Sequence, residues 1–274
     1  MSDDVIATRW EGATTDEWRG LWRLPSLVIL DSTPSSNDVA MRMAADGAPA
    51  GTTVIADRQT RGRGRDGRVW FDRPGMSLLM SIVLRADEAT DPSTVPLRVG
   101  LAVACAIEDA AAAGASIKWP NDVLAQDGRK IAGILCEGAS GSASAWLVAG
   151  IGINVSQSPG HFGPELRGAA ASLAMVGAPT PRAILAGRIL DELRPFRIVP
   201  PPLDDATLRA LAERDALRGR QVTVNGDVAC TAEGIAPDGA LRLKRNGQLL
   251  ELRSGTVRLQ HGATEPAHSR VRGH

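Results

Sequence analysis

Residues 59–70 read QTRGRGRDGRVW, a stretch in which glycines alternate with arginines. Glycine lets a backbone bend sharply and approach a ligand closely. Arginine supplies a planar, permanently charged fork that suits carboxylate and phosphate oxygens. The stretch therefore predicts a loop that closes over an anionic small molecule. A solvated basic loop and an RNA-binding arginine–glycine segment have a similar composition and stay open as alternatives.

Segments with strand character flank this loop. β-branched residues dominate TTVIA at 52–56, and SLLMSIVL at 77–84 is largely apolar, as buried strands are. Upstream, the apolar run LVIL at 27–30 leads through a turn-rich segment to VAMRMAADG at 39–47, which reads as a short helix. The alanine-rich stretch 94–113 is typical of a helix packed on a sheet. We therefore expect the strands and helices before and after the loop to pack into one hydrophobic core.

Further elements are predicted downstream. Short strands are expected over 116–119, 130–137 and 145–151. The pair TP at 180–181 predicts a helix whose N-cap is the threonine and whose first residue is the proline. Another helix is expected over 204–217.

After residue 218 the chain changes to short alternating segments separated by Asn-Gly and Asp-Gly pairs. Such pairs are typical of hairpin turns, so this part predicts a small β-barrel. We divide the chain into an N-terminal extension (1–25), a main domain (26–217), a C-terminal β domain (218–260) and a disordered tail (261–274).

Three further segments place polar groups at strand ends. In KWPNDVL, Pro120 fixes a turn from which Asn121 and Asp122 present an amide and a carboxylate. KIAGIL opens a strand with Lys130, and GIGINV ends an apolar strand with Asn154. The two glycines of GIGINV would let something flat approach the strand closely. Taken singly, a surface turn, a solvated edge lysine and a bulge explain the three segments equally well.

Several common catalytic motifs are absent from the sequence. No Gly-Lys-Ser/Thr of a P-loop occurs, and Val155 stands where a dinucleotide fingerprint requires its third glycine. The segment GASGS at 138–142 lacks the second glycine of a nucleophile elbow. The sequence therefore lacks the motifs that usually identify a P-loop enzyme, a dehydrogenase or a serine hydrolase.

Composition narrows the class of protein. The 274 residues carry a net charge of zero, which argues against nucleic acid as a partner. No apolar run is long enough for a membrane helix and the first residues are unlike a secretory signal, so we expect a cytoplasmic protein. Widely spaced cysteines and histidines suit neither a disulfide framework nor a zinc site; they are Cys105, Cys136, Cys230, His161, His261, His268 and His274.

Taken together, these segments resemble the catalytic domain of the bacterial biotin protein ligases. That family has a Ser/Thr-Asn pair opening a helix, a GRGR-x-GR-x-W loop, a KWPND turn, a K-hydrophobic-AGIL strand and a GIGIN strand. All five occur here in that order, and the resemblance extends over about residues 26–260. It implies an α+β fold, a mixed β-sheet with packed helices like that of class II synthetases, followed by a small SH3-like β-barrel. About 25 residues precede the first strand, so it implies the monofunctional type without a DNA-binding domain.

The resemblance also implies substrates and partners. ATP, Mg²⁺ and biotin would give biotinyl-5′-AMP, and biotin would then pass to a lysine of a biotin carboxyl carrier protein. No nucleic acid or membrane partner is implied, and the chain would be a monomer or a homodimer. The alternative is a lipoate or octanoate protein ligase or transferase, which shares the fold.

Residue roles follow from the same resemblance. Lys130, Arg65 and Asp122 would be catalytic, and Asp122 would also contact Mg²⁺ through the nucleotide. The biotin-binding residues would be Ser35, Ser36, Asn37, Gln59, Arg63, Gly64, Arg65 and Lys130. The nucleotide-binding residues would be Arg68, Trp70, Asn121 and Asn154.

The sequence departs from the family pattern at three places. Ser36 stands where threonine is commoner. No tryptophan follows Trp146, so the aromatic lid of the nucleotide has only Phe162 as a candidate. Gln260 stands where an arginine is common, with Arg258 nearby.

Overall fold

The structure is a computed structural model that describes residues 3–86, 91–139, 146–200, 202–226 and 228–260. The predicted disordered tail, 261–274, lies outside these ranges. Within them, none of the helices has the length and apolar character needed to span a bilayer.

The elements follow one another in this order. The helices are α1 (Thr15–Leu21), α2 (Ser36–Ala45), α3 (Val95–Ala111), α4 (Arg182–Leu193) and α5 (Asp205–Arg214). The strands of the first part are β1 (Val5–Ile6), β2 (Leu27–Ser32), β3 (Thr53–Ala56), β4 (Ser77–Ala86), β5 (Ala115–Lys118), β6 (Asp122–Ala125), β7 (Lys130–Ala139), β8 (Trp146–Asn154) and β9 (Ile198–Val199). Those of the second part are β10 (Gln221–Val224), β11 (Val228–Ile235), β12 (Leu241–Arg245), β13 (Gln248–Leu252) and β14 (Val257–Leu259).

The first part is built on a mixed nine-stranded sheet, as predicted. Its order is β1-β2-β3-β4-β8-β7-β6-β5, and β9 also pairs with β4. The pairs β2–β3 and β4–β9 are parallel, whereas the remaining pairs are antiparallel. Helix α3 packs on α4 and on the sheet through buried residues such as Leu97, Val103 and Ile107. Alanines on the same helix allow this close approach to the strands.

Several predicted helix boundaries were wrong. Helix α2 begins at Ser36 and not at residue 39, and α3 ends at Ala111 and not at residue 113. Pro181, not Thr180, occupies the N-cap position of α4, because its ψ of 134° is extended and not helical. Helix α5 ends at Arg214, three residues earlier than predicted. Asp215 turns to an extended conformation there, and Ala216 N donates to Ile117 O at 2.9 Å. The edge of β5 thus offers a backbone partner that competes with the last turn of the helix.

The second part is a five-stranded antiparallel sheet of order β13-β12-β11-β10-β14. Two of the predicted Asn-Gly turns have positive φ at both residues, with 50° and 101° at Asn225-Gly226 and 49° and 80° at Asn246-Gly247. Such values are those of tight hairpin turns. This antiparallel sheet is consistent with the predicted SH3-like domain, but within the described ranges β13 and β14 do not pair, so the strands do not close into the predicted barrel. It contacts the first part through Trp119, whose indole N–H donates to Gly239 O at 2.9 Å.

The N-terminal residues are joined to the main sheet. β1 pairs with β2 at the sheet edge, and three tryptophans follow in a cluster. Trp18 stacks on Trp22 with ring centres 4.8 Å apart, and both lie 6.3 Å from the Trp10 ring. Trp10 and Trp22 are buried, so this segment contributes to the core.

Arg182 connects this segment to the sheet. Its guanidinium donates to Glu11 Oε1 at 2.6 Å, to Asp57 Oδ1 at 2.7 Å and to Ser77 O at 3.2 Å. It also lies 5.2 Å from the centre of the Trp10 ring. The side chain is only 9% exposed, so its charge depends on these partners.

Arg182→Met is expected to lower the free energy of unfolding by about 2 to 3 kcal/mol, because two carboxylates lose their cation. Arg188→Met on the same helix is the control. Arg188 pairs with Asp109 at the surface, where both side chains are more than half exposed, and its loss should cost less than about 0.5 kcal/mol. Urea unfolding followed by tryptophan fluorescence measures both variants. Equal destabilisation would contradict a structural role for Arg182.

Candidate active site

Two adjoining cavities open on one face of the main sheet. The larger has a volume of about 240 Å³ and the smaller about 30 Å³. They share Arg63, Trp70, Gly133 and Leu135 in their walls. Every site residue named from the sequence lines one or both cavities; these residues are Ser35, Ser36, Asn37, Gln59, Arg63, Gly64, Arg65, Arg68, Trp70, Asn121, Asp122, Lys130 and Asn154.

Glycines form the floor between the cavities. Gly133 of β7 lies opposite Gly152 of β8, and the indole of Trp70 lies against both. A Cβ added at Gly152 would approach the Trp70 ring to 2.7 Å, and one added at Gly133 would approach it to 3.1 Å. The flat group that the glycines of GIGINV predicted is thus an aromatic ring of the chain itself. The Trp70 indole nitrogen is buried and has no hydrogen-bond partner within the described ranges.

The smaller cavity is lined by a buried polar network at the start of α2. The backbone N and Oγ of Ser36 donate to Gln59 Oε1 at 2.8 and 3.0 Å. Ser81 Oγ lies 2.6 Å from Asn37 Oδ1 and 2.8 Å from Ser36 Oγ. Ser35 is the N-cap residue of α2, but its side chain makes no capping hydrogen bond. This cavity therefore offers both donors and acceptors to a small polar ligand.

Ser81 was not identified from the sequence. It lies on β4, is fully buried and joins the serine and asparagine of α2. A serine inside the apolar run SLLMSIVL is the signal that could have revealed it, because a buried hydroxyl needs a partner.

Cationic side chains dominate the larger cavity. Lys130 Nζ lies 2.5 Å from Asp122 Oδ1, and Lys118 Nζ lies 3.9 Å from Asp122 Oδ2. Arg65 Nη1 donates to Asn121 Oδ1 at 3.3 Å. Burial lowers the pKa of Lys118 from its ordinary value, and the neighbouring charge of Lys130 lowers that pKa further. An anionic ligand would relieve this repulsion.

The far wall of the larger cavity is formed by Asn154, Phe162 and Thr256. Asn154 is buried, and its Nδ2 donates to Ala171 O at 3.0 Å. Phe162 is buried as well, so the aromatic candidate named from the sequence does face the cavity. Thr256 belongs to the second part of the chain and was not foreseen. Arg258 and Gln260 do not line the cavity.

The described residues contain no group of three or more His, Cys, Asp and Glu side chains placed to bind a metal ion. Asp122, the predicted Mg²⁺ contact, is already paired with Lys130. The described residues of this cavity are therefore poorly suited to binding a metal ion directly.

Comparison with known proteins decides the family. Residues 29–154 match the model of the biotin/lipoate A/B protein ligase family. The bifunctional ligase/repressor BirA of Bacillus subtilis is 35% identical over 85% of this chain and 74% of its own length. The biotin–[acetyl-CoA-carboxylase] ligase of Mycobacterium tuberculosis is 34% identical over 86% of this chain and 89% of its own length. The chain belongs to the biotin protein ligases.

A solved structure of this ligase family agrees. The biotin protein ligase of Aquifex aeolicus in complex with biotin and ATP superposes with a TM-score of 0.69 and 27% identity, covering 86% of this chain and 99% of that one. The sequence-based predictions of a biotin ligase and of its α+β fold are confirmed. The roles given to single residues stay predictions.

Proposed function

We propose that this chain is an ATP-dependent ligase that forms biotinyl-5′-AMP and then transfers biotin to a lysine of a carrier protein. One observation carries the proposal: a small polar cavity and a larger cationic cavity meet at Trp70, over glycines of β7 and β8. Biotin has a ureido group at one end and a carboxylate at the other. The ureido group therefore matches the small polar cavity, and the carboxylate matches the larger cationic cavity.

The smaller cavity is assigned to the ureido group. That group donates through two N–H bonds and accepts through one oxygen. Ser35, Ser36, Asn37 and Gln59 supply acceptors and donors there. Because these side chains are buried and already joined by hydrogen bonds, they are fixed before a ligand arrives.

The larger cavity is assigned to the carboxylate and the nucleotide. A carboxylate oxygen of biotin attacks the α-phosphorus of ATP, and the bond from that phosphorus to the leaving pyrophosphate breaks. Both reactants are anions, so Lys130 and Arg65 would neutralise the charge that develops between them. Asp122 would position Lys130, whose ammonium group lies 2.5 Å from it. The side-chain amides of Asn121 and Asn154 each donate one hydrogen bond to a backbone carbonyl, Ile134 O and Ala171 O, and their second N–H bonds suit phosphate and nucleotide acceptors.

In the second step the amine of the carrier lysine attacks the acyl carbon, and AMP leaves with the electrons of the broken acyl–oxygen bond. The carrier is the biotin carboxyl carrier domain of a carboxylase, and we place the reaction in the cytoplasm. Magnesium would enter with the ATP, since the two carboxylates that line the larger cavity are Asp122, already paired with Lys130, and the exposed Asp66.

The direct test is transfer of labelled biotin to an apo carrier domain in the presence of ATP and Mg²⁺. We expect label on the wild-type carrier and none on a carrier whose acceptor lysine is replaced by arginine. Transfer of octanoate or lipoate in place of biotin would keep the fold and overturn the substrate. Absence of any acyl transfer would overturn the ligase assignment for this chain.

Arg65→Gly is expected to raise the release of free biotinyl-5′-AMP by about tenfold or more, because the loop loses a charge that faces the intermediate. Biotin should then appear on lysines of bystander proteins. Arg61→Gly, an exposed arginine outside both cavities, is the control. Mass spectrometry of a mixture of carrier and serum albumin measures which lysines carry biotin. Label confined to the carrier in the Arg65 variant would count against retention by this residue.

A further inference from the structure

The loop 62–70 is a small hairpin. Trp70 N donates to Gly62 O at 3.0 Å, and Gly64 N donates to Arg68 O at 2.8 Å. The tip between these bonds carries Arg65, which reaches Asn121 across the larger cavity. The position of the whole hairpin therefore decides whether the cavity is covered.

One side chain of this hairpin lies in the wall of both cavities and is held there by two carboxylates of the protein. Arg63 donates to both carboxylate oxygens of Asp38, at 2.9 and 2.6 Å. It also lies 3.2 Å from Glu137 Oε2. These bonds raise the pKa of the Arg63 guanidinium above its ordinary value, the hydrogen bonds to Asp38 most of all. Two acids on two different elements, α2 and β7, thus hold one arginine of the loop.

Glu137 contacts a second residue through the same oxygen atom. Its Oε2 accepts from Asn37 Nδ2 at 2.7 Å. A carboxylate only accepts hydrogen bonds, so this contact, together with a longer one of 3.2 Å from Asn37 Nδ2 to Leu135 O, turns the NH₂ of Asn37 towards β7 and the amide oxygen towards Ser81. The same carboxylate therefore fixes a wall of the smaller cavity and holds the hairpin.

We propose that Asp38, Arg63 and Glu137 form a latch: Asp38 and Glu137 are positioning residues that hold the hairpin closed through Arg63, and Glu137 links this closure to the orientation of Asn37. The Arg63 guanidinium then serves the protein and not the biotin molecule. Only the link to biotin rests on the proposed function, because the latch itself consists of contacts among three side chains of this chain.

Limited proteolysis with trypsin tests the latch in the absence of biotin and ATP. The hairpin contains Arg63, Arg65 and Arg68, and native-state cleavage after them requires the loop to open. Asp38→Asn and Glu137→Gln keep the shape of the side chains and leave every cleavage site in place. Each variant should be cut within the loop about fivefold faster than the wild-type chain. Unchanged cleavage in both variants would overturn the latch.

Salt supplies a test that needs no variant. The three side chains are 29 to 39% exposed, so added salt screens them. Cleavage of the wild-type loop should accelerate between low and high NaCl, and cleavage of Asp38→Asn should change less. Equal acceleration of both chains would argue against the ion pairs as the cause.

A double-mutant cycle separates the latch from direct contact with biotin. If Arg63 acts through Asp38, Arg63→Met and Asp38→Asn raise the KM for biotin by similar factors with little change in kcat, and the double variant is no worse than either. Arg61→Met is the control. A raised KM in Arg63→Met alone would show that Arg63 touches the substrate, and would overturn the latch while the ligase assignment stands. If the wild-type chain does not transfer biotin, the ligase assignment is wrong. The latch is then tested by the rates of trypsin cleavage alone.

Discussion

Lys130→Ala is expected to slow adenylate formation by about 100- to 1000-fold, the range found when one charge-stabilising donor is removed from an active site. Lys130 stands at the start of β7 and lies in the larger cavity beside Asp122. Without its ammonium group, the carboxylate of biotin and the phosphates of ATP would meet next to Asp122, whose remaining cationic neighbour among the described ion pairs is Lys118 at 3.9 Å. Biotin-dependent release of pyrophosphate measures this step before any carrier is added.

Lys244→Ala is the matched control, because Lys244 is exposed on β12 and outside both cavities. It should release pyrophosphate at the wild-type rate. Undiminished release in Lys130→Ala would remove this lysine from the reacting centre. Lys130→Arg keeps the charge and changes the shape, so an intermediate rate would show that charge accounts for part of the effect.

Gly150→Ala is expected to weaken biotin binding by about tenfold to a hundredfold. A Cβ at this position would lie 2.3 Å from Asn37 Oδ1, and Asn37 is buried and bonded to Ser81 and Glu137. The methyl group would have to push the amide out of its network. Such overpacking costs about 1 to 3 kcal/mol, and 1.4 kcal/mol is a factor of ten in affinity.

Gly20→Ala is the control for this variant, since a Cβ there meets nothing within 4 Å. Isothermal titration calorimetry with biotin alone compares the two, and thermal unfolding confirms that both are folded. Wild-type affinity in Gly150→Ala would mean that the network at Asn37 does not form the biotin site.

Much of the fold could be predicted from local patterns. The Asn-Gly pairs at 225–226 and 246–247 predicted tight turns, because asparagine and glycine tolerate positive φ. The glycines of the GIGIN strand predicted the close approach of a flat group, since no other residue leaves that space. The predicted end of α5 was wrong because a tertiary partner, the edge of β5, competes with the last turn of this helix.

The candidate active site could likewise be predicted only in part from the sequence. From the sequence alone, five ordered motifs indicated the family, and the resemblance to that family named side chains that line the cavities. Only the tertiary structure decided that Trp70 lies on Gly133 and Gly152. It also revealed Ser81 and Glu137. Glu137 is 100 positions from Asn37, and contacts over such distances depend on strand pairing and register, which no local pattern encodes.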